Sequence, residues 1–281
     1  MSISLVTNVQ SLKVQQNLTA ATNKLNTAIE RMTTGYKINS AKDDAAGYSI
    51  SAQMEAKLSS YDVAANNAQI GLDMLTTTEE NYSLITDHLQ RIRDLTEQAA
   101  NGTYSDDSRA AIKAEIESRL AEIDRIAGSA EYNGMLLMTG ATGSVNIQVG
   151  VDGSANSKVE LSDTLFSDAK ASTILGAANA TMATDCSTAA TAAAQLTKID
   201  DAIKDISNRV TTLGASQNRL ESAIDSIQVT TENLTSSLST VKDADIATES
   251  TRYLQAQILQ SAATTLLSTA NQTPAIALEL I

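Results

Sequence analysis

The sequence contains few of the residues that interrupt helices or build an aromatic core. Its 281 residues include one proline, so helices can run for many turns without the lost hydrogen bond and steric clash that proline introduces. Tryptophan is absent and phenylalanine occurs once, so a core must be made from aliphatic side chains and alanine. These absences favour a bundle of long helices over a β-sandwich or an α/β barrel.

Histidine and cysteine each occur once, which removes common means of catalysis and metal binding. His88 has no second histidine with which to form a multi-histidine zinc site. Cys186 has no second cysteine for a disulfide and no nearby histidine in the sequence to activate it as a nucleophile. Neither a P-loop nor a strand-linked GxGxxG motif occurs. We therefore predict a protein that is not an enzyme, with no catalytic residue, cofactor or metal site.

Acidic residues outnumber basic ones by 33 to 20, and the net charge is −13. No basic stripe is present to replace the counterions of a phosphate backbone, so we expect no nucleic-acid partner. No apolar stretch approaches the length of a membrane span, and residues 1–12 lack the basic and apolar regions of a cleaved export signal. Taken alone, these features predict no membrane insertion and a cytosolic protein.

The most regular pattern is an apolar repeat in steps of three and four residues from Leu196 to Val241. Twelve of its fourteen positions are Leu, Ile or Val, whereas the overall hydrophobic content of 42% predicts about six. Such a repeat indicates a helix with one narrow apolar seam that packs on another long helix. At 1.5 Å per residue the helix is roughly 70 Å long, so it needs partners of similar length.

Apolar residues recur at helical spacing in further stretches. They predict helices over residues 5–33, 44–100 and about 105–127, and a last helix over 244–272 that ends before Pro274.

The middle of the chain changes period. Apolar and polar residues alternate over 145–151, and a shorter alternation includes Val159 and Leu161. This predicts a β-hairpin with its turn in 152–157. Residues 167–190 are rich in Ala, Thr and Ser without a firm period, and are predicted to be loop or short helix.

Both chain ends are amphipathic and poor in charge, and no charged residue lies between Tyr253 and Leu278. Chain ends are normally polar and solvated. The end helices either pack on the protein's own bundle or pair with each other and are buried between copies. Composition favours the second interpretation, because these ends have no core of their own. The residues predicted to form this terminal-helix and inter-subunit packing are Leu18, Leu25, Ile29, Leu254, Ile258 and Leu266.

Five sequence blocks, in a consistent order, resemble one known family. The first, ERMTTGYKINSAKDDAAGYSI at residues 30–50, resembles the amino-terminal signature of bacterial flagellins. The others are LQRIRDLTEQAANG at 89–102, EIESRLAEIDRIA at 115–127, LGASQNRLESAI at 213–224 and QILQSAATTLLSTANQTPAIALELI at 257–281. Departures from the usual signature, such as Met32 for Leu and Lys37 for Arg, do not lie on the predicted seam.

This resemblance spans about residues 1–140 and 190–281. It implies a structural subunit that polymerises into the helical flagellar filament, the propeller used for motility. Only about 143–190 is left for the variable outer domains, so it implies a short form. It also implies an extracellular location, reached through type III export without a cleaved signal, in place of the cytosolic expectation.

Periodicity and resemblance together predict a mainly α fold. We expect a long-helix coiled-coil bundle with a small β-hairpin region and paired N- and C-terminal helices. Residues 1–43 and 244–281 are expected to form an inner domain, 44–142 and 191–243 an outer bundle, and 143–190 the hairpin and a short variable segment. The bundle seam is predicted at Leu58, Leu72, Leu75, Leu89, Ile203, Ile206, Leu213, Leu220 and Ile227.

The resemblance also implies partners. These are other copies of the chain, the flagellar cap and hook-junction proteins, an export chaperone that holds about residues 240–281, and, for some family members, a host innate immune receptor. Carried over by motif, the receptor contact falls on Gln90, Arg91, Leu95 and Glu115. The alternative role for these four residues is contact between subunits of the filament.

Two other functions are alternatives. A hook–filament junction protein shares the terminal helices but does not elongate into long filaments, and the density of flagellin blocks argues against it. A secreted adhesin or receptor-binding module acts through the central hairpin. Deleting residues 143–190 is expected to distinguish an adhesin from a filament subunit, because a filament subunit still polymerises without them.

Overall fold

The computed structural model describes residues 7–176, 186 and 188–279, and side chains as far as residue 272. Its helices are α1 (Val9–Thr34), α2 (Ala45–Ala100), α3 (Asp106–Ser129), α4 (Ala171–Ile174), α5 (Ala189–Lys242) and α6 (Ile246–Glu279). Its strands are β1 (Glu131–Tyr132), β2 (Met135–Leu136), β3 (Val145–Gln148) and β4 (Lys158–Leu161). Single 3-10 turns cover Ala155–Ser157 and Asp163–Phe166. The predicted mainly α fold with a small hairpin is confirmed.

Among the described residues, no helix combines the length and apolarity that crossing a bilayer requires.

Side chains and glycine set the helix ends. The Asn8 side chain accepts a hydrogen bond from the Ser11 amide at 3.0 Å and caps α1, and Ser105 caps α3 through the Ser108 amide. Helix α1 stops at Gly35, whose φ of 77° lies in the left-handed region that glycine tolerates best. The predicted helix stop at Gly35 is therefore confirmed.

Contacts divide the chain into two units, and the boundary between them falls within α2 and α5. The terminal unit contains residues 1–58 and 232–281, and the central unit contains residues 59–231. The predicted segments instead change at residues 43 and 244. As a division into functional domains, those segments stay a prediction.

Aliphatic side chains of α2, α3 and α5 form the core of the central unit. The buried stripe of α3 consists of Ile112, Ile116, Leu120, Ile123, Ile126 and Ala127. Of the residues predicted for the bundle seam, those buried in the structure are Leu75, Leu89, Ile206, Leu213, Leu220 and Ile227. The other three, Leu58, Leu72 and Ile203, are half-buried. Aliphatic side chains thus make up most of this core.

The β3–β4 hairpin packs on this helical core. Strands β3 and β4 are antiparallel, and Ile147 lies opposite Val159 in the register. A Cβ atom added at Gly71 of α2 would lie 3.1 Å from Ile147 Cγ1 and 3.3 Å from Leu220 Cδ1. Glycine at this position therefore allows the hairpin and α5 to approach α2 closely.

The end of strand β4 and the chain that follows it also enter the core. Leu161, Leu165 and Phe166 are fully buried. Deleting residues 143–190 would remove these side chains from the core and expose the helices that they cover. The deletion expected to distinguish an adhesin from a filament subunit is therefore not a clean test, because it damages the bundle itself. The alternation in the sequence is too short to indicate this burial beforehand.

Helix α5 begins at Ala189, two residues before the predicted helical segment 191–243 and seven before the first seam residue, Leu196. Its first turns place Ala192 and Gln195 in the core, at 0% and 2% exposure. Alanine favours the helix but does not belong to the Leu/Ile/Val seam, so a search for large aliphatic residues misses these turns.

Helix α6 runs through Pro274 to Glu279, whereas the sequence predicted an end before the proline. Proline has no backbone N–H, so it leaves the Ala270 carbonyl without its intrahelical donor. The Asn8 side chain supplies a donor instead, with Nδ2 at 2.7 Å from that carbonyl oxygen. The hydrogen bond that the Ala270 carbonyl loses to proline is thereby replaced.

Tyr82 is fully buried, and its hydroxyl donates a hydrogen bond to the Leu165 carbonyl at 3.0 Å. Burial raises the pKa of this phenol above its ordinary value. We predict that Tyr82→Phe lowers the free energy of unfolding of the central unit by about 1–2 kcal/mol, because a buried carbonyl loses its donor. Urea unfolding followed by circular dichroism measures this change. Tyr104→Phe removes a hydroxyl from a residue that is 37% exposed and serves as the control, and equal losses in both variants would contradict the prediction.

Candidate interaction surface

Helices α1 and α6 pair along their length in the terminal unit. The Gln260 side-chain amide donates to Thr22 Oγ1 at 3.1 Å, and the Ser11 hydroxyl donates to Asn271 Oδ1 at 2.8 Å. As the residue number rises in α1 it falls in α6, so the pair is antiparallel. The predicted pairing of the N- and C-terminal helices is confirmed.

Small side chains occupy the most deeply buried positions between these two helices. The buried apolar residues of the pair are Ala21, Ala28, Ala256, Ala263 and Ala270. They recur at seven-residue steps on each helix, which is the spacing of a coiled-coil position. Because alanine has only a methyl group, the two backbones approach closely, and little apolar surface is available to bury between them.

Large apolar side chains of the pair lie outside this contact. Leu254, Ile258 and Leu266 are 56%, 68% and 58% exposed. Ile29 on α1 is 43% exposed, and Leu12 is 52% exposed. Together these side chains leave a large amount of apolar surface on the pair that contacts with other molecules can bury.

The structure places the six residues predicted for terminal-helix packing in two groups. Leu18 and Leu25 are half-buried, whereas the other four residues are exposed. Within the single chain, those four contribute little to the α1–α6 contact. Their predicted role between subunits stays a prediction.

Asn8 joins the two helix ends through both of its side-chain polar atoms. Its Oδ1 accepts from the Ser11 amide at the start of α1, while its Nδ2 donates to the Ala270 carbonyl of α6. The carbonyl is free because residue 274 is proline. Asparagine is suited to this position because its amide carries an acceptor and a donor at once.

The connecting segments at the other end of the pair also meet. The Lys37 amide donates to the Lys242 carbonyl at 2.7 Å, and the Ala244 amide donates to the Gly35 carbonyl at 2.8 Å. The Lys242 ammonium pairs with Glu55 and lies 4.4 Å from the centre of the Tyr36 ring. The hydrogen bond to Glu55 raises the pKa of Lys242 above its ordinary value.

Charge is distributed unevenly between the two units. By sequence, the terminal unit has eight Lys and Arg residues against nine Asp and Glu residues, a net charge of −1. The central unit has twelve against 24, a net charge of −12. Copies can therefore bring their terminal units together with far less electrostatic repulsion than their central units.

Three of the four residues carried over as receptor contacts lie near solvent. Gln90 and Arg91 are exposed on α2, and Arg91 Nε lies 3.2 Å from the Glu115 carboxylate on α3. Partial burial raises the pKa of Glu115, but hydrogen bonds from Arg119 and Arg91 outweigh it, so the pKa lies below its ordinary value.

Leu95 is only 2% exposed and belongs to the central core. The expectation that its side chain touches a receptor directly is therefore corrected, because it packs against neighbouring helices instead. A direct receptor contact stays a prediction for Gln90, Arg91 and Glu115.

The histidine and the cysteine that each occur once in the sequence, His88 and Cys186, both lie against other side chains. The His88 ring lies 3.4 Å from Arg119 Nη1, and Cys186 is fully buried in the central core. Across the described ranges, no group of three or more His, Cys, Asp or Glu side chains is arranged to hold a metal ion.

Comparisons with known proteins place the chain among flagellar proteins. A model of the bacterial flagellin N-terminal helical region matches residues 5–143, and one of the bacterial flagellin C-terminal helical region matches residues 196–281. The chain is 33% identical over 270 residues to Flagellin FlaB1 of Treponema pallidum (strain Nichols), covering 94% of each chain. It is also 33% identical over 288 residues to a flagellin of Listeria monocytogenes serovar 1/2a, covering 98% of each. A putative flagellar hook-associated protein from Vibrio parahaemolyticus shares the fold, with a TM-score of 0.60, 16% identity, and coverage of 72% of this chain and 100% of that one.

We predict that two substitutions of Asn8 separate its two contacts. Asn8→Asp keeps an acceptor for the Ser11 amide but has no donor for the Ala270 carbonyl, whereas Asn8→Ala loses both. Amide hydrogen exchange should therefore rise about fivefold at both helix ends in Asn8→Ala, and only near residue 270 in Asn8→Asp.

Pro274→Ala provides the control for this pair of variants. It restores a backbone N–H to residue 274, so Asn8→Asp should add no further change in that background. If hydrogen exchange near residue 270 is equal in Asn8→Asp and in the unsubstituted protein, both with Pro274, the hydrogen bond from Asn8 does not stabilise this end of α6.

Proposed function

Because this chain belongs to the bacterial flagellin family and is the subunit of the extracellular flagellar filament, we propose that the exposed apolar face of its paired terminal helices joins one copy to the next. The face consists of Leu12, Ile29, Leu254, Ile258, Leu259 and Leu266, which are between 43% and 68% exposed. That exposure is the observation that supports the proposal most directly. Side chains of this size stabilise a protein only when they leave water, and alanines occupy the most deeply buried positions of the α1–α6 contact.

Assembly by this face couples folding to polymerisation. The terminal pair buries small side chains, so much of its stabilisation has to come from contacts with other copies. Because the terminal unit has a net charge of only −1, neighbouring copies approach there with little repulsion. Contacts between different surfaces of successive copies repeat without closing and produce a helical polymer.

Further partners follow from the family as proposals. We expect the flagellar cap and hook-junction proteins to contact the assembled subunit, and an export chaperone to hold about residues 240–281 before assembly. The same stretch contains the apolar face of α6, which a chaperone would keep from aggregating. For a host innate immune receptor, the accessible candidates are Gln90, Arg91 and Glu115.

Leu266→Asp is expected to abolish filament formation, because a carboxylate in place of an apolar side chain would be buried between copies without a partner. The central unit should remain folded, since Leu266 lies in the terminal unit. Sedimentation and negative-stain electron microscopy measure polymerisation, and circular dichroism measures the helical content.

Leu266→Met, which keeps an apolar side chain of similar volume, is the control and should polymerise like the unsubstituted protein. Normal filaments from Leu266→Asp would show that this part of α6 stays in contact with solvent.

Replacing the hairpin tip tests the adhesin alternative without disturbing the core. Residues 151–156 are all exposed, whereas Val159 and Leu161 are buried. We predict that exchanging 151–156 for an Asn-Gly turn, which suits a two-residue hairpin loop, leaves polymerisation unchanged. Loss of polymerisation together with an intact circular dichroism spectrum would assign the tip an essential contact and contradict the prediction.

A further inference from the structure

A groove of about 450 Å3 between α1 and α6 carries an excess of positive charge. Lys24, Arg31 and Arg252 line it together with a single carboxylate, that of Glu249. The remaining wall consists of uncharged residues, namely Asn23, Thr27, Ala28, Gln255, Ala256 and Leu259. The lining side chains therefore have two more positive than negative charges, in a chain whose net charge is −13.

The carboxylate of Glu249 does not satisfy all of the cations around it. Glu249 is 3% exposed and accepts from Arg31 Nη1 at 3.3 Å and Arg252 Nη1 at 2.5 Å. The buried Arg31 Nε has no hydrogen-bond partner in the described part of the chain. Lys24 has no ion pair there either. A buried donor without an acceptor is costly, so the groove is suited to a second carboxylate.

Glu30 is the carboxylate of the terminal helices best placed to reach another copy. Among the described side chains of α1 and α6, Glu30 and Glu249 are the only acids. Glu249 is buried, whereas Glu30 is exposed and has no ion pair within the described residues. Successive residues of a helix point about 100° apart, so Glu30 is directed away from the groove that its neighbour Arg31 enters.

We propose that Glu30 of one copy docks in the Lys24–Arg31–Arg252 groove of a second copy. The docking rests on the proposed assembly role of the terminal helices. It brings an unpaired carboxylate to the place with an excess of cations, and it adds a directional, charged contact to an otherwise apolar face. Such a contact fixes the register between copies more than it adds to their affinity.

Charge exchange across the interface tests the docking in the full-length chain. Lys24→Glu and Glu30→Lys should each raise the critical concentration for polymerisation about fivefold or more, because each places like charges together. The double variant Lys24→Glu/Glu30→Lys restores opposite charges and should return to within about twofold of the unsubstituted protein. If the critical concentration of the double variant is as high as the two single effects combined predict, the proposal is overturned.

Lys13→Glu is the matched control. Lys13 is exposed on α1 outside the groove, and its reversal changes the charge of the same helix by the same amount. An effect equal to that of Lys24→Glu would mean that helix charge, not docking, controls polymerisation, and would overturn the proposal. Failure of the unsubstituted chain to polymerise would instead overturn the assembly role itself.

Zero-length cross-linking of unsubstituted filaments gives an answer that does not depend on how variants fold. A carbodiimide should join the Glu30 carboxylate to the Lys24 amine as an amide. In filaments grown from equal amounts of 14N- and 15N-labelled protein, about half of these cross-linked peptides should combine both labels if copies are incorporated at random. A 24–30 cross-link found only within one label, or absent while filaments form, overturns the docking.

Discussion

Close packing of alanine against alanine is the constraint on which the terminal unit depends. With Ala28 of α1 and Ala256 of α6 in the contact, the two backbones approach closely and the larger side chains are left on the outside. At about 25 cal/mol per Å2 of apolar surface, a contact of buried alanines and half-buried leucines gains less than one of fully buried leucines. In the proposed assembly, the exposed Ile258 and Leu266 are among the side chains through which other copies add stabilisation. A filament subunit needs this property, because its terminal helices should be most stable where copies meet.

A contact made of alanine does not by itself specify register, since one methyl group resembles the next. Polar side chains supply that information along the pair. Asn8 binds the carbonyl that Pro274 leaves free, Gln260 reaches Thr22, and Arg31 reaches Glu249. Each of these contacts is lost in any shifted alignment of the two helices. The proposed docking of Glu30 in the groove around Arg31 extends the same principle to contacts between copies.

Several structural features were predictable because they depend on local pattern. The seam from Leu196 to Val241, the stop at Gly35 and the alternation around Ile147 each predicted an element that the structure contains. Other features depend on residues distant in the sequence. Helix α6 continues past Pro274 because Asn8 supplies a donor across the pair, and Leu95 lies in the core although its motif suggested a surface role.

The sequence by itself determined the class of fold, the family and the pairing of charge-poor chain ends, because helical periodicity and composition are read within a few turns of chain. Tertiary structure alone decided which apolar residues stay exposed. Periodicity marks an apolar face but does not indicate whether the partner on that face is alanine or leucine. That choice depends on side chains more than 200 positions apart, such as Ala28 and Ala256, and it leaves the larger apolar side chains of both helices exposed.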